Sequence, residues 1–418
     1  MVDLKRRQFL KGTAAILGAS CGGPLWALAD EAPKFAAAPS FNPLALFLTW
    51  QRDPTTTMTV QWVGSKDDGA TRPIWYAKEG SLEWRSLPSV GREFPRTDHR
   101  LYRTELTGLE PGTHYRFRVG LDGAEGKFRT MPAKATDTIQ FVTGGDAGIG
   151  DGAQRTNAVA AAQDPMFAVI GGDLAYENGK DAQTFLTFLA NYSKQMIDTK
   201  GRHIPWVACI GNHEVDGGYG KPRDSAPYFY SVFDGLYPHT GFTALDFGDY
   251  LSLVLLDTNH TTPVLGEQTS WLTHELKQRQ DRDSLFVCYH VPSYPSFRPF
   301  DQDDNEKGTG ADSRKHWCPL FENYGVDAVL EHHDHTYKRT HPLLDGHAHA
   351  NGVPYLGDGS WGKLRRPKTT AERPYLAKVD EAYHVSLHRI EGRQRYHIAL
   401  SDHGKIMDVC TTTKRAHI

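Results

Sequence analysis

Hydrophobic and polar positions change rhythm once along the chain, near residue 133. Before that point, apolar and polar residues alternate over short runs, as in Met58-Thr59-Val60-Gln61-Trp62-Val63, Ile74-Trp75-Tyr76 and Tyr115-Arg116-Phe117-Arg118-Val119. A period of two, with turn residues between the runs, predicts half-buried strands and an all-β sandwich over residues 43–133, with Trp62 in its core. Beyond the change, continuous apolar runs at 139–143, 167–170, 206–210, 250–256, 285–289 and 328–330 predict strands buried on both faces. Between them, helices are predicted over 153–163, 182–197, 267–280 and 314–324, and Phe185, Phe188, Leu189 and Tyr192 share one face of the second. This alternation predicts an α/β domain over residues 137–410. Alternating runs at 383–390 and 395–400 are expected to complete a second sheet.

Open α/β sheets build their sites beyond the carboxyl ends of strands, and here those ends carry ligand-type side chains. The first strand runs into Gly144-Gly145-Asp146, and the second into Gly171-Gly172-Asp173 with Tyr176 following. The third meets Gly211-Asn212-His213-Glu214, a later one meets His290, and the last meets His332-His333-Asp334-His335. One such aspartate is explained by helix capping; ligands at five strand ends on one edge point to a metal site. The two oxygens of Asp173 can bridge two cations, and a phenolate from Tyr176 is a hard anionic ligand suited to a trivalent ion. His333 and His335 lie on one side of an extended segment, where each could reach a different ion of a pair.

Composition adds exclusions. With 47 Lys and Arg against 50 Asp and Glu, the formal charge of -3 gives no electrostatic footprint for nucleic-acid binding. No Gly-x-Ser-x-Gly elbow and no Walker-type loop is present, so the sequence offers neither of those nucleophile or phosphate devices. Twenty histidines are a surplus consistent with transition-metal ligation.

The ordered motifs GDAG, GDLAY, GNHE, VCYH and HHDHTYKR resemble those of the calcineurin-like metallophosphoesterases, specifically the purple acid phosphatases. The resemblance implies a sandwich of two mixed sheets flanked by helices, preceded by a fibronectin type III-like domain, whose turn and tyrosine Leu109-Glu110-Pro111-Gly112-Thr113-His114-Tyr115 resembles. It also implies that Asp146, Asp173, Tyr176 and His335 hold a ferric ion. Asp173 as bridge, with Asn212, His290 and His333, would hold divalent iron, zinc or manganese. The implied reaction is hydrolysis of phosphate monoesters by a metal-bound hydroxide, with Asp173 and His213 at the reacting centre. Two departures stand out. His332 replaces the glycine that opens the last motif, adding bulk or a proton donor beside the metals. The further histidine that plant members carry after the VxxH histidine is missing, which leaves leaving-group protonation or substrate clamping to His213 with Arg298 or Tyr294. A phosphodiesterase acting on nucleotides is the alternative enzyme, and a non-catalytic phosphate- or glycan-binding envelope protein the alternative of another class.

The N-terminus carries Lys5-Arg6-Arg7-Gln8-Phe9-Leu10-Lys11, an apolar small-residue run and Ala27-Leu28-Ala29 as a cleavage site. This resembles a twin-arginine signal over residues 1–29 and implies use of that export machinery, a periplasmic or secreted location and no stable membrane anchor. Residues 30–42, rich in alanine and proline, read as a linker. Cys209 and Cys288 fall inside apolar runs and are expected to be buried thiols.

Overall fold

The computed structural model describes residues 33–68, 72–301, 307–357 and 359–415, with the backbone of Ala27–Leu28. The segment read as an export signal lies outside the described residues, apart from Ala27–Leu28, which pairs antiparallel with Arg85 and Ser86.

The first unit is a sandwich of a five-stranded and a four-stranded sheet. Its longest pairing joins Met58–Gly64 to Arg100–Leu106 in antiparallel register, with Trp62 opposite Tyr102. Trp62 is fully buried and stacks on Tyr102 with ring centroids 4.0 Å apart. Tyr115 closes one end, where its hydroxyl accepts the Glu110 N–H at 2.9 Å. That bond to backbone a few residues upstream pins the turn to the strand. The alanine- and proline-rich segment lies against this sandwich rather than spanning free space. Phe35 meets the Trp84 ring edge-on at 4.6 Å, and the Ala36 N–H donates to the Leu121 carbonyl at 2.9 Å. Phe41 adds a second anchor, edge-on to Trp62 at 5.3 Å, so two aromatics dock an otherwise small-residue stretch.

The second unit holds a two-stranded sheet, which pairs Leu343–Leu344 with His347–Ala348, and two large sheets. One is six-stranded in the order Trp206–Ala208, Ala168–Ile170, Ile139–Gly144, His384–Glu391, Gln394–Ser401, Ile406–Thr413. The other is seven-stranded and begins Thr243–Phe247, Leu251–Leu255, Ser284–Cys288, Ala328–Glu331, Tyr355–Gly357. The first three strands of the former are parallel, as are the four from Leu251–Leu255 to Tyr355–Gly357 in the latter. The alternating C-terminal runs, expected to complete a second sheet, complete the sheet of the first three strands: His384–Glu391 pairs antiparallel with Ile139–Gly144. Helix predictions hold within a few residues at Asp151–Ala161, Ala182–Gln195 and Glu267–Arg279. The helix expected over 314–324 is instead two short ones, Ala311–His316 and Cys318–Asn323. Pro319 causes the break, because it lacks an N–H and its ring crowds the carbonyl four residues back.

The two units share a core. Trp50 of the sandwich sits edge-on to Phe167 at 5.9 Å and to Phe247 at 5.8 Å, while Arg103 bonds to Asp234 at 2.6 Å and to the Val232 carbonyl at 2.8 Å. Cys209 and Cys288, at the facing strands of the two sheets, are buried thiols with sulfurs 3.8 Å apart.

Candidate metal centre

Each chemistry-bearing loop leaves the end of a parallel strand, and the backbone turns sharply there. Asp146, Asp173, Tyr176, His333 and His335 all adopt left-handed φ values between 52° and 77°. That conformation costs free energy in a residue with a Cβ, and strain of this kind persists where surrounding contacts over-determine it. The contacts are on hand. The Asp146 N–H donates to the Gly172 carbonyl at 3.0 Å, and the His333 N–H to Asp146 Oδ2 at 2.8 Å. Two glycines let the loops close. Gly172, at φ +90°, has the Gly211 nitrogen 2.7 Å from where a Cβ would be, and at Gly359, at φ +76°, a Cβ would lie 1.8 Å from Asp146 Oδ2.

The result is a tight, buried cluster. Asp146, Asp173, His290 and His333 each place one ligand-type atom within 4.8 Å of the others. Asp173 Oδ2 lies 3.3 Å from His290 Nε2 and 3.9 Å from His213 Nε2, and it is buried without a hydrogen-bond partner. Asn212 Oδ1 is 3.2 Å from His290 Nε2. On the other flank, the Tyr176 hydroxyl is 3.1 Å from Asp146 Oδ1 and 2.9 Å from His335 Nε2, which is itself 3.0 Å from Asp146 Oδ1. All seven residues expected to ligate are therefore brought together, in two groups that meet along the Asp146–Asp173 line.

The electrostatics show what the cluster lacks. Burial alone would raise the Asp173 carboxyl, but the imidazoles of His290, His213 and His333 outweigh it and hold the group far below the usual carboxylate range. Conversely, burial would lower His290, yet Asp173 and Asp146 pull it up to about 10. Tyr176 is pushed well above its ordinary value by burial and by the same two aspartates. Packed carboxylates and an orphaned oxygen demand positive charge, and a metal ion meets that demand while leaving the imidazoles neutral. The donor set, hard oxygens with imidazole and no thiolate facing it, fits such ions.

Behind the ligands stands Glu214, to which sequence reasoning gave no role. Its carboxylate accepts the N–H groups of Gly211 at 2.7 Å, Asp173 at 2.8 Å and Leu174 at 2.7 Å, tying two ligand loops together. An acid directly after Asn212-His213 was its only signal in the sequence. Tyr219 was also missed; its hydroxyl lies 3.2 Å from His333 Nε2. Arg298 lies beside the cluster, with Nη2 bonded to the His333 carbonyl at 3.3 Å and Nε 3.3 Å from Asp334 Oδ1.

Two expectations need correction. His332 is no proton donor at the pocket. It is fully buried, its Nε2 is 3.6 Å from Cys288 Sγ, and burial pushes it well below its ordinary pKa. Its ring fills the space above Gly171 and Gly145, where added Cβ atoms would come to 1.7 Å and 2.7 Å from ring atoms. Nor can Tyr294 act on a leaving group, because it is 2 % exposed and packs against Tyr355 and Tyr375 in an apolar core separate from the one the two units share.

Fold and cluster together define a metallophosphoesterase. Residues 43–143 match the family model "Purple acid Phosphatase, N-terminal domain", and residues 136–337 match "Calcineurin-like phosphoesterase". Over 81% of its length the chain is 27% identical to an uncharacterized protein of Mycobacterium tuberculosis, covering 72% of that protein. It is 24% identical to human acid phosphatase type 7, with 89% of this chain and 91% of the other covered. A purple acid phosphatase from yellow lupin seeds has the same fold, with a TM-score of 0.71 at 17% identity over 89% of this chain and 74% of the lupin chain. The chain belongs to the purple acid phosphatases of the calcineurin-like phosphoesterase superfamily, and it is a metal-dependent phosphatase-type hydrolase.

Proposed function

We propose that this protein is an exported acid phosphatase that hydrolyses phosphate monoesters at a binuclear centre bridged by Asp173. The observation that carries the reading is the orphaned, buried Asp173 Oδ2 between the Asp146–Tyr176–His335 group and the Asn212–His290–His333 group. The former would hold a ferric ion, because a phenolate and carboxylates favour a hard trivalent cation; the latter would hold divalent iron, zinc or manganese. Bound there, such a pair supplies charge neutralisation for the phosphoryl oxygens and lowers the pKa of a water.

The chain's own residues do the rest. His290 is fixed by its Nδ1–H, which donates to the Gly171 carbonyl at 2.8 Å and leaves Nε2 facing the cluster. His213 directs Nδ1–H at Asn178 Oδ1, 2.5 Å away, so Nε2 is the atom turned toward Asp173 and the substrate side. From there it can protonate a departing alkoxide. Arg298, its side chain 26% exposed beside His333, is placed to bind a phosphate oxygen. The paired arginines near the N-terminus support export through the twin-arginine machinery, and no helix among the described residues is long and apolar enough to cross a membrane. The test is phosphate release from a chromogenic aryl phosphate. Turnover by the wild type that disappears in Asp173→Asn supports the reading, and unchanged turnover in metal-replete Asp173→Asn protein overturns it.

A further inference from the structure

Two of the expected metal ligands share a partner that is not itself a ligand. The Tyr219 hydroxyl lies 3.2 Å from His333 Nε2 and donates to Asn212 Oδ1 at 3.4 Å. Both residues belong to the group assigned above to the divalent ion. With its one proton directed at Asn212, the phenol oxygen is left to accept from His333, so the ring N–H of that histidine sits on Nε2. Nδ1 is then the nitrogen with a free lone pair. It lies 3.0 Å from His290 Nε2, the atom that His290 turns to the cluster by donating Nδ1–H to the Gly171 carbonyl. Among the described residues, Tyr219 is the only hydrogen-bond partner of His333 Nε2.

The tyrosine is held from behind. Gly218 and Gly220 flank it at φ +77° and +61°, a left-handed conformation that glycine enters at no steric cost. Its ring packs on that of the fully buried His260, with centroids 4.9 Å apart. His260 Nδ1–H donates to the Gly218 carbonyl at 3.0 Å. On the other side of the imidazole, Thr258 Oγ1 lies 3.0 Å from His260 Nε2 and accepts the N–H of Val291, the residue after His290, at 3.1 Å. The N–H groups of Gly220 and Lys221 bond to the carbonyls of Asn259 and His260 at 2.8 and 3.0 Å. The segment that follows one ligand therefore braces the loop that carries Tyr219. An incidental surface tyrosine needs neither a buried histidine bonded to its own loop nor an oxygen shared by two ligands.

We propose that Tyr219 is a positioning residue for the divalent ion: its phenol fixes His333 as the Nε2–H tautomer and ties it to Asn212, so that Nδ1 and Oδ1 are presented together to one cation. The proposal rests on the metal-centre reading above. A hydrogen bond to the outer nitrogen of a ligating imidazole sets the ring's orientation and raises its basicity, and losing it weakens metal binding by about 10- to 100-fold.

The experiment titrates zinc into the metal-free full chain in competition with a chromophoric chelator, for wild type, Tyr219→Phe and Tyr219→Ala. Wild type is expected to bind two ions. In Tyr219→Phe, which keeps the ring on His260, one ion is expected to bind about tenfold more weakly and the other unchanged, and Tyr219→Ala is expected to lose no less. Histidine-ring 15N NMR of the zinc-loaded protein supplies a readout that a packing role would not move. It is expected to show His333 protonated at Nε2 and bound through Nδ1 in the wild type, with that proton exchanging faster in Tyr219→Phe. Wild-type affinity in Tyr219→Phe with a loss only in Tyr219→Ala would assign the ring to packing and overturn the proposal, as would His333 bound through Nε2. Both results would leave the metal-centre reading intact, whereas a wild type that binds no zinc would overturn that reading as well.

Discussion

Glu214 and Asp173 are joined back to back: the Asp173 N–H donates to Glu214 Oε2 at 2.8 Å while the Asp173 side chain faces the cluster. The same carboxylate oxygen takes the Gly211 N–H, so one acid sets the spacing between two ligand loops. Glu214→Ala is therefore expected to lose metal affinity and activity by about 10- to 100-fold, as removal of a ligand's support does. Equilibrium dialysis with zinc, alongside turnover, checks it; unaltered affinity would show that the loops hold themselves.

His332 and Gly171 form a size-matched pair. Gly171→Ala puts a methyl 1.7 Å from His332 Cδ2, an overpacking expected to cost about 3 kcal/mol. His332→Gly alone empties a buried site and is expected to cost about 2 kcal/mol. Combined, the changes should cost less than their sum, and urea denaturation of the four proteins measures that coupling. Strict additivity would mean the ring does not occupy this space in solution.

How much of this was legible beforehand follows from what each feature depends on. The ligands sit at strand ends, and a ligand-type side chain directly after an apolar run is visible in sequence, with a glycine before it at Asp146, Asp173 and Asn212 and none at His290; hence all four were readable. Two features were not. Which of the two sheets His384–Glu391 completes depends on long-range pairing with Ile139–Gly144 that no local pattern encodes. The inertness of His332 depends on Gly171 and Gly145, distant in sequence, leaving room for its ring. Tyr294 failed as a site residue for a similar reason: an aromatic near a motif reads alike whether it faces the pocket or the core.

The proposed ferric assignment rests on Tyr176. Its hydroxyl is 2.9 Å from His335 Nε2 and 3.1 Å from Asp146 Oδ1, the geometry of a shared ligand set. Purified oxidised protein is expected to show a visible charge-transfer band that Tyr176→Phe abolishes. A colourless wild type holding only zinc or manganese would keep the phosphoesterase and remove the ferric assignment.

Buried neutral histidines set the acid limit of the fold. Burial lowers His203 to about 4 and His384 and His388 to about 3. Their unfolded-state value is about 6.5. The unfolded chain therefore binds more protons below that value, so the stability these groups contribute is fully present above about pH 6.5 and is lost as pH falls toward 3 to 4. Within this window each group is expected to lower unfolding free energy by about 1.4 kcal/mol per pH unit. Urea denaturation at pH 7.5, 6 and 5 measures the slope, and a flat profile would contradict it.

The central claim is that Asp173 joins two metal ions. Elemental analysis of the purified full chain measures this most directly, carried out on wild type and on Asp173→Asn protein whose fold is verified by circular dichroism. Two metal ions per wild-type chain, falling to one or none in the variant, is the predicted result. A wild type with no bound metal, or a variant that keeps both ions, would contradict it.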